Sequence, residues 1–144
     1  MTIKNSKEKN AAAALMAQEN EKNHYIIKDE MRYAGSHLVI ELWEARFLDN
    51  LDKIRMIMTD ATHACGATLI DLMLHQFGNN GGVTGVAMLS ESHISIHSWP
   101  EYDYAALDIF VCGKCDPYKA IIVFREGFLP KRIQVAEHKR GLII

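Results

Sequence analysis

Three stretches between residues 83 and 111 alternate apolar and polar side chains, and turns of only three or four residues separate them. They cover residues 83–89, 93–99 and 104–111. A two-residue period of this kind is typical of β-strands that bury one face. Turns this short can join only neighbouring antiparallel strands, because a parallel pair needs a long crossover. The centre of the chain is therefore predicted to be an antiparallel sheet with one buried and one polar face.

The flanking segments extend this sheet and cover it. Residues 37–43, 67–77 and 131–138 are also predicted to be strands. Residues 47–64 carry apolar side chains at helical spacing, and residues 117–128 form a second such segment with proline in its first turn. The predicted order is β-α-β-β-β-β-α-β. This order indicates an α+β two-layer sandwich, an antiparallel sheet covered on one face by two helices.

The start of the chain differs from the rest in composition. Residues 1–34 are rich in Lys, Asn, Gln and Glu and lack a sustained apolar face, apart from an alanine-rich run that favours a short helix. We therefore expect residues 1–34 to be a polar, mobile N-terminal extension. Residues 35–144 are predicted to form a single domain, in keeping with the length of the chain.

Charge and composition exclude several classes of protein. Sixteen basic and eighteen acidic residues give a formal net charge of -2, so a nucleic-acid partner is not expected. No stretch approaches the roughly 18 consecutive apolar residues of a membrane span, so no membrane association is expected. Three cysteines are too few for a disulfide-rich secreted scaffold. We expect a cytoplasmic protein with reduced thiols.

The polar face of the predicted sheet carries side chains that are unusual on a plain solvent face. Side chains two positions apart on a strand share a face, and those on the polar face include His93, Ser95, His97, Trp99, Asp108, Phe110 and Cys112.

This face is either a plain solvent-exposed face or the site of one of three chemistries: zinc binding, thiol redox chemistry or attack by a serine. Zinc would take His93, His97, Cys112 and Cys115, and the last two also form a C-x-x-C pair suited to thiol redox chemistry. Alternatively, Ser92, at the turn between two strands, would attack either a substrate or its own chain.

Longer runs of sequence carry a resemblance to a known family. Residues 82–86, 89–101 and 104–113, the second of which contains Leu-Ser-Glu-Ser-His-Ile-Ser-Ile-His-Ser-Trp-Pro-Glu, resemble the small prokaryotic S-adenosylmethionine decarboxylases. The similarity extends over about residues 35–141. It implies a pyruvoyl-dependent carboxy-lyase made as a proenzyme that cuts itself into a β chain, 1–91, and an α chain, 92–144.

The resemblance also implies roles in self-cleavage and turnover. Ser92 attacks the carbonyl of Glu91, and elimination and hydrolysis then leave a pyruvoyl group derived from Ser92 at the start of the α chain. His97 matches the base for this processing. Thr84 stands where the family usually has serine, and its hydroxyl is expected to assist. Cys112 matches the thiol that protonates the product, which suits a group that exchanges protons near neutral pH. Neither a metal nor pyridoxal phosphate is expected.

For the substrate, the resemblance implies S-adenosylmethionine bound between aromatic rings. Phe77 and Trp99 are the expected rings for the adenine, and Glu101 the expected carboxylate for the ribose hydroxyls. The loop 78–82 after Phe77 is one residue longer than is usual in the family. The product would supply aminopropyl groups for spermidine synthesis, and the resemblance implies a dimer of αβ units.

Two alternatives to this function stay open at the level of sequence. Altered pockets on the same scaffold decarboxylate L-ornithine or L-arginine with the same pyruvoyl group, His97 and Cys112, and specificity depends on contacts that sequence shows poorly. A paralogue that binds a ligand but never cleaves itself would share the fold without the activity.

Overall fold

The computed structural model of the protein describes residues 10, 11, 13–15 and 25–143, of which the first five are helical. The elements are β1 (Ile26–Lys28), β2 (Met31–Tyr33), β3 (Gly35–Trp43), α1 (Leu51–Ala64), β4 (Leu69–Gln76), β5 (Val83–Leu89), β6 (Ser92–Trp99), a 3-10 helix (Pro100–Tyr102), β7 (Tyr104–Cys112), α2 (Tyr118–Phe128) and β8 (Arg132–Arg140). Six strands form one antiparallel sheet in the order β4-β5-β6-β7-β3-β8, and β1 and β2 form a separate short hairpin. The helices α1 and α2 pack on the six-stranded sheet, so the predicted α+β sandwich is confirmed.

The core lies between the helices and one face of the sheet. Alternate residues of the central strands, such as Ile94 and Ile96 on β6, are fully buried there. The helices contribute Met58 from α1 and Phe124 and Phe128 from α2, which are also fully buried. Complete burial of an apolar side chain of this size stabilises a fold by about 1.5–3 kcal/mol. This burial fixes which side chains of each strand are left on the other face.

The face of the sheet away from the helices is called the open face below. It carries the polar side chains of the central strands together with exposed apolar ones. Val39, Met73, Val86 and Met88 are 41%, 72%, 45% and 50% exposed, respectively. Its other members on the paired strands include His37, Glu41, His75, Thr84, His93, Ser95, His97, Trp99, Tyr104, Asp108, Phe110 and Cys112.

Helix α1 begins later than the apolar spacing predicts. Phe47 has a φ of +62°, which a helix does not allow, and the side chain of Asn50 accepts a hydrogen bond from the backbone N–H of Lys53 at 2.9 Å. Asparagine is among the best residues at such an N-cap. The helix therefore starts at Leu51, and residues 47–50 form its approach.

The hairpin β1-β2 lies within the segment predicted to be a mobile extension. The backbone N–H of Ala34 donates to the carbonyl of Arg140 at 2.8 Å, and that of Ile143 donates to the carbonyl of Arg32 at 2.7 Å. Tyr33 is 3% exposed. Residues 25–34 are thus joined to the end of the domain, whereas most of the predicted extension lies outside the described residues.

No helix in the described part of the chain is long and apolar enough to span a membrane.

Candidate active site

A two-residue turn joins β5 to β6 and contains the sequence-predicted cleavage site. β5 ends at Leu89 and β6 begins at Ser92, so Ser90 and Glu91 make the turn. Glu91 has a φ of +64°. This left-handed conformation costs a residue with a side chain roughly 1–2 kcal/mol. The peptide bond between Glu91 and Ser92 therefore starts from a strained backbone.

Cys112 lies against this peptide bond. Its thiol donates a hydrogen bond to the carbonyl oxygen of Glu91, with 2.7 Å between sulfur and oxygen. The Ser92 hydroxyl oxygen is 3.8 Å from the same sulfur. A donor on a carbonyl oxygen draws electrons from the carbonyl carbon and stabilises negative charge that develops on the oxygen during attack. Glu91, Ser92 and Cys112 thus form one group at this end of the sheet.

Thr84 and His97 form a second group, at the other end of β6. They face each other across β5 and β6, and the Thr84 hydroxyl oxygen is 3.2 Å from Nδ1 of His97. A strand rises about 3.3 Å per residue, so the five steps from Ser92 to His97 span about 16 Å. A single chain therefore does not bring His97 within reach of Ser92.

A cavity of about 330 Å³ lies beside this second group. Phe77 and Trp99, the two rings predicted from the resemblance, both line it and are 50% and 37% exposed. One side of the Trp99 ring stacks on Tyr104, with 5.3 Å between ring centres, and Tyr104 in turn stacks on Trp43 at 4.3 Å. The cavity thus offers aromatic surface held in place by further rings. The lining residues are Phe77, Asn79, Asn80, Gly82, Val83, Thr84, His97, Ser98 and Trp99.

Glu101, the carboxylate predicted to bind the ribose, is hydrogen-bonded to a residue that lines the cavity. It belongs to the 3-10 helix after β6, and its Oε1 accepts from the side-chain amide of Asn80 at 3.0 Å. The motifs considered at the sequence level did not include Asn80. The sequence feature that could have pointed to Asn80 is the extra residue in the loop after Phe77.

The centre of the open face carries a hydrogen-bond network around Asp108. The Asp108 carboxylate accepts from His37 at 2.5 Å, from His93 at 3.1 Å and from the Ser95 hydroxyl. Burial raises the pKa of Asp108, but these three hydrogen bonds outweigh burial and leave that pKa below its ordinary value.

The same network contains the atoms of a possible cation site. The ligand atoms of His37, His93 and Asp108 lie within 4.8 Å of one another. Nη1 of Arg140 is 3.3 Å from Nδ1 of His37. A guanidinium only donates, so Nδ1 of His37 accepts and its Nε2 carries the proton shared with Asp108. Binding a metal through Nε2 would displace that proton, so this arrangement favours the hydrogen-bond network over a metal.

The other two cysteines differ from Cys112 in their surroundings. Burial raises the pKa of Cys65 to about 11, and burial together with the neighbouring Cys112 raises the pKa of Cys115. A raised pKa lowers the thiolate fraction on which redox chemistry and zinc binding depend. The zinc set considered from sequence, which contains His93 and His97, also does not converge on one point in the described part of the chain.

Comparisons with known proteins show the family of the chain. The family described as S-adenosylmethionine decarboxylase matches residues 36–141. The S-adenosylmethionine decarboxylase proenzyme of Methanococcus aeolicus is 46% identical over 117 residues, which cover 79% of this chain and 99% of that protein. The proenzyme of the same name from Thermomicrobium roseum is 44% identical over 115 residues, with the same coverage.

A solved structure gives the same result for the fold. The crystal structure of the adenosylmethionine decarboxylase from Aquifex aeolicus superimposes with a TM-score of 0.70 at 33% identity, and covers 78% of this chain and 94% of that one. The α+β sandwich described above is thus the fold of an enzyme, a decarboxylase by class. The chain belongs to the S-adenosylmethionine decarboxylase family, as its sequence motifs predicted.

Proposed function

We propose that the protein decarboxylates S-adenosylmethionine with a pyruvoyl group derived from Ser92, after it cleaves itself between Glu91 and Ser92. The observation that carries this proposal is the strained Glu91, whose carbonyl accepts a hydrogen bond from Cys112 beside the Ser92 hydroxyl. The names of the relatives, which are proenzymes, support a processed chain. The product would then supply aminopropyl groups for spermidine synthesis.

Self-cleavage follows from the groups around this peptide bond. The Ser92 hydroxyl adds to the Glu91 carbonyl carbon, the C–N bond breaks, and Glu91 becomes esterified to the Ser92 oxygen. A base then removes the α-proton of Ser92, and the Glu91 carboxylate leaves with the ester oxygen. The resulting dehydroalanine takes up water and releases ammonia, which leaves the pyruvoyl group. Cys112 stabilises the oxyanion of the first step, and His97 is the base of the second.

We propose that His97 acts on Ser92 of a second copy of the chain. Ser92 and His97 lie on one strand about 16 Å apart, but a two-fold axis lying between two packed open faces, and crossing β6 near Ser95, would exchange the two ends of that strand. Two chains packed through their open faces would bring Ser92 and Cys112 of one copy over Thr84 and His97 of the other. The exposed apolar side chains of that face support such packing, because they would be covered. We therefore propose a dimer with two composite sites.

The cavity beside His97 suits a nucleoside. Its volume falls within the range of small-molecule sites, and the exposed rings of Phe77 and Trp99 offer flat apolar surfaces for a purine. The carboxylate of Glu101 lies at the same end of the sheet to accept hydrogen bonds from ribose hydroxyls. A basic amino acid such as ornithine or arginine needs neither the rings nor a diol acceptor.

Once formed, the pyruvoyl ketone supplies an electrophile for the substrate amine and an electron sink when CO2 leaves. Within the composite site, Cys112 is the residue placed to return a proton to the substrate carbon. In the uncut chain this thiol donates to the Glu91 carbonyl and lies 3.8 Å from the Ser92 hydroxyl, so it is close to the atoms from which the pyruvoyl group would form.

Intact mass spectrometry tests the cleavage. The wild-type chain should give fragments 1–91 and 92–144, and the second should lack a free N-terminal amine. Ser92→Ala should remain whole because it has no attacking hydroxyl. Ser90→Ala is the matched control: it removes a hydroxyl from the same turn but keeps the backbone hydrogen bond of residue 90 to Thr68, and it should be cut normally. Cutting of Ser92→Ala at this bond would disprove the mechanism.

Release of CO2 from the cleaved protein tests the substrate. S-adenosylmethionine, L-ornithine and L-arginine should be compared at equal concentrations, and we expect release from S-adenosylmethionine. Release from a basic amino acid alone would replace the proposed substrate and leave the cleavage chemistry intact.

A further inference from the structure

The loop between β4 and β5 holds one side chain in a single orientation. The side-chain oxygen of Asn80 accepts a hydrogen bond from the backbone N–H of Gly82 at 2.9 Å. The other end of the amide is therefore the NH2 group, which donates to Oε1 of Glu101 at 3.0 Å. The two contacts assign the amide without ambiguity, because a flipped side chain would place NH2 against N–H.

The loop around Asn80 is itself fixed to the sheet. The N–H of Phe77 donates to the carbonyl of Gly82 at 2.8 Å, and the N–H of Gly81 donates to the carbonyl of Phe77 at 3.1 Å. A Cβ on Gly82 would lie 2.8 Å from the carbonyl oxygen of Ser98, so the loop touches the end of β6 directly. Asn80 therefore has a rigid base from which to hold another residue.

Asn80 links the cavity to Glu101. It lines the cavity, and its side-chain amide is hydrogen-bonded to Glu101. We infer that Asn80 is a positioning residue for the sugar of the substrate: it holds one oxygen of the Glu101 carboxylate so that the other accepts a hydroxyl of a nucleoside cis-diol. This inference rests on the proposed function, because it takes Glu101 as the acceptor for ribose.

Asn80→Asp separates the contact with Glu101 from the structure of the loop. Aspartate keeps the oxygen that accepts from Gly82, but it replaces the donor facing Glu101 with a second negative charge. At neutral to alkaline pH we expect the KM for S-adenosylmethionine to rise by about tenfold, with kcat within about twofold of wild type, because a hydrogen bond to a charged group is lost and repulsion is added.

Asn50→Asp is the matched control for charge. It makes the same substitution at the N-cap of α1, where aspartate accepts the hydrogen bond from Lys53 as asparagine does, and its KM should equal that of wild type. Intact mass and a thermal melt on each variant verify that it is cleaved and folded before kinetics are measured.

Glu101→Gln separates failure of this inference from failure of the proposed function. If Glu101→Gln leaves the KM unchanged, Glu101 does not bind ribose and the proposed contact is wrong. If Glu101→Gln raises the KM while Asn80→Asp behaves like Asn50→Asp, the role of Asn80 is overturned. A double variant with both changes should have a KM close to that of Glu101→Gln alone, because Asn80 acts through Glu101. Independent, multiplying effects would also refute the inference.

Discussion

The composite site predicts that two inactive chains restore cleavage to each other. Ser92→Ala lacks the nucleophile but keeps His97, and His97→Ala lacks the base but keeps Ser92. A base has to come within about 2.6–3.2 Å of its proton or act through one water, whereas Ser92 and His97 of one chain are about 16 Å apart along β6. Each variant alone should therefore remain uncut in its own dimer, and a mixed dimer should contain one complete site.

The expected yield follows from symmetry. With equal amounts of freely mixing chains, about half of all dimers are mixed, and each mixed dimer has one intact and one doubly defective site. Only the His97→Ala chain of a mixed dimer has a nucleophile, so about half of the His97→Ala chains should be cut. The Ser92→Ala chains should stay whole. No other pairing of Ser92 with His97 gives this asymmetry.

The assay is co-expression with two different N-terminal tags, tandem purification of mixed dimers, and intact mass spectrometry. Each variant expressed alone is the control. Purified mixed dimers in which neither chain is cut would refute the composite site. Normal cleavage of His97→Ala on its own would remove His97 from the mechanism.

Three further predictions concern single residues. Cys112→Ala should cleave itself more slowly, because the Glu91 carbonyl loses its hydrogen-bond donor, and mass spectrometry measures this effect. After cleavage it should release CO2 about 10²–10⁴-fold more slowly, as expected for loss of a general acid. Normal CO2 release would contradict the role assigned to Cys112. Trp99→Leu should cleave itself normally but lower kcat/KM for S-adenosylmethionine by roughly tenfold through lost stacking, and an unchanged value would place the purine elsewhere. Asp108→Asn should lower the free energy of unfolding at neutral pH. Since the pKa of Asp108 is depressed in the folded protein, the difference in unfolding free energy between the variant and wild type should shrink as the pH falls below about 4. Denaturant melts measure this difference, and a value that does not change with pH would refute the ionised network.

The strands and their faces could be predicted because they depend on local alternation. Ile94 and Ile96 fill the core, and His93 and His97 lie on the opposite face, as a two-residue period requires. The hairpin β1-β2 could not, because its bonds to Arg140 and Ile143 join residues more than a hundred positions apart. Strands of three residues carry too little local signal to reveal such pairing.

The resemblance proposes a set of residues for the candidate site, but it does not give their geometry. The resemblance assigns Ser92 and His97 to one reaction, and their spacing on a predicted strand already implies that they lie far apart. Sequence alone does not show which surface of another molecule closes that gap. Asn80 was missed for a related reason: its role depends on where the loop after Phe77 ends relative to Glu101, which only the three-dimensional structure specifies.

Backbone strain alone does not account for self-cleavage. The left-handed conformation of Glu91 stores roughly 1–2 kcal/mol, and each 1.36 kcal/mol changes a rate tenfold, so its release accelerates the first step by at most about thirtyfold. An amide bond under that strain still persists while a chain folds. On the proposed mechanism the larger contributions come from the thiol of Cys112 and the imidazole of His97, and the imidazole arrives only with the second copy. Assembly would therefore precede the elimination step, so a folded but unpaired chain keeps its 1–91 and 92–144 parts joined until it meets a partner.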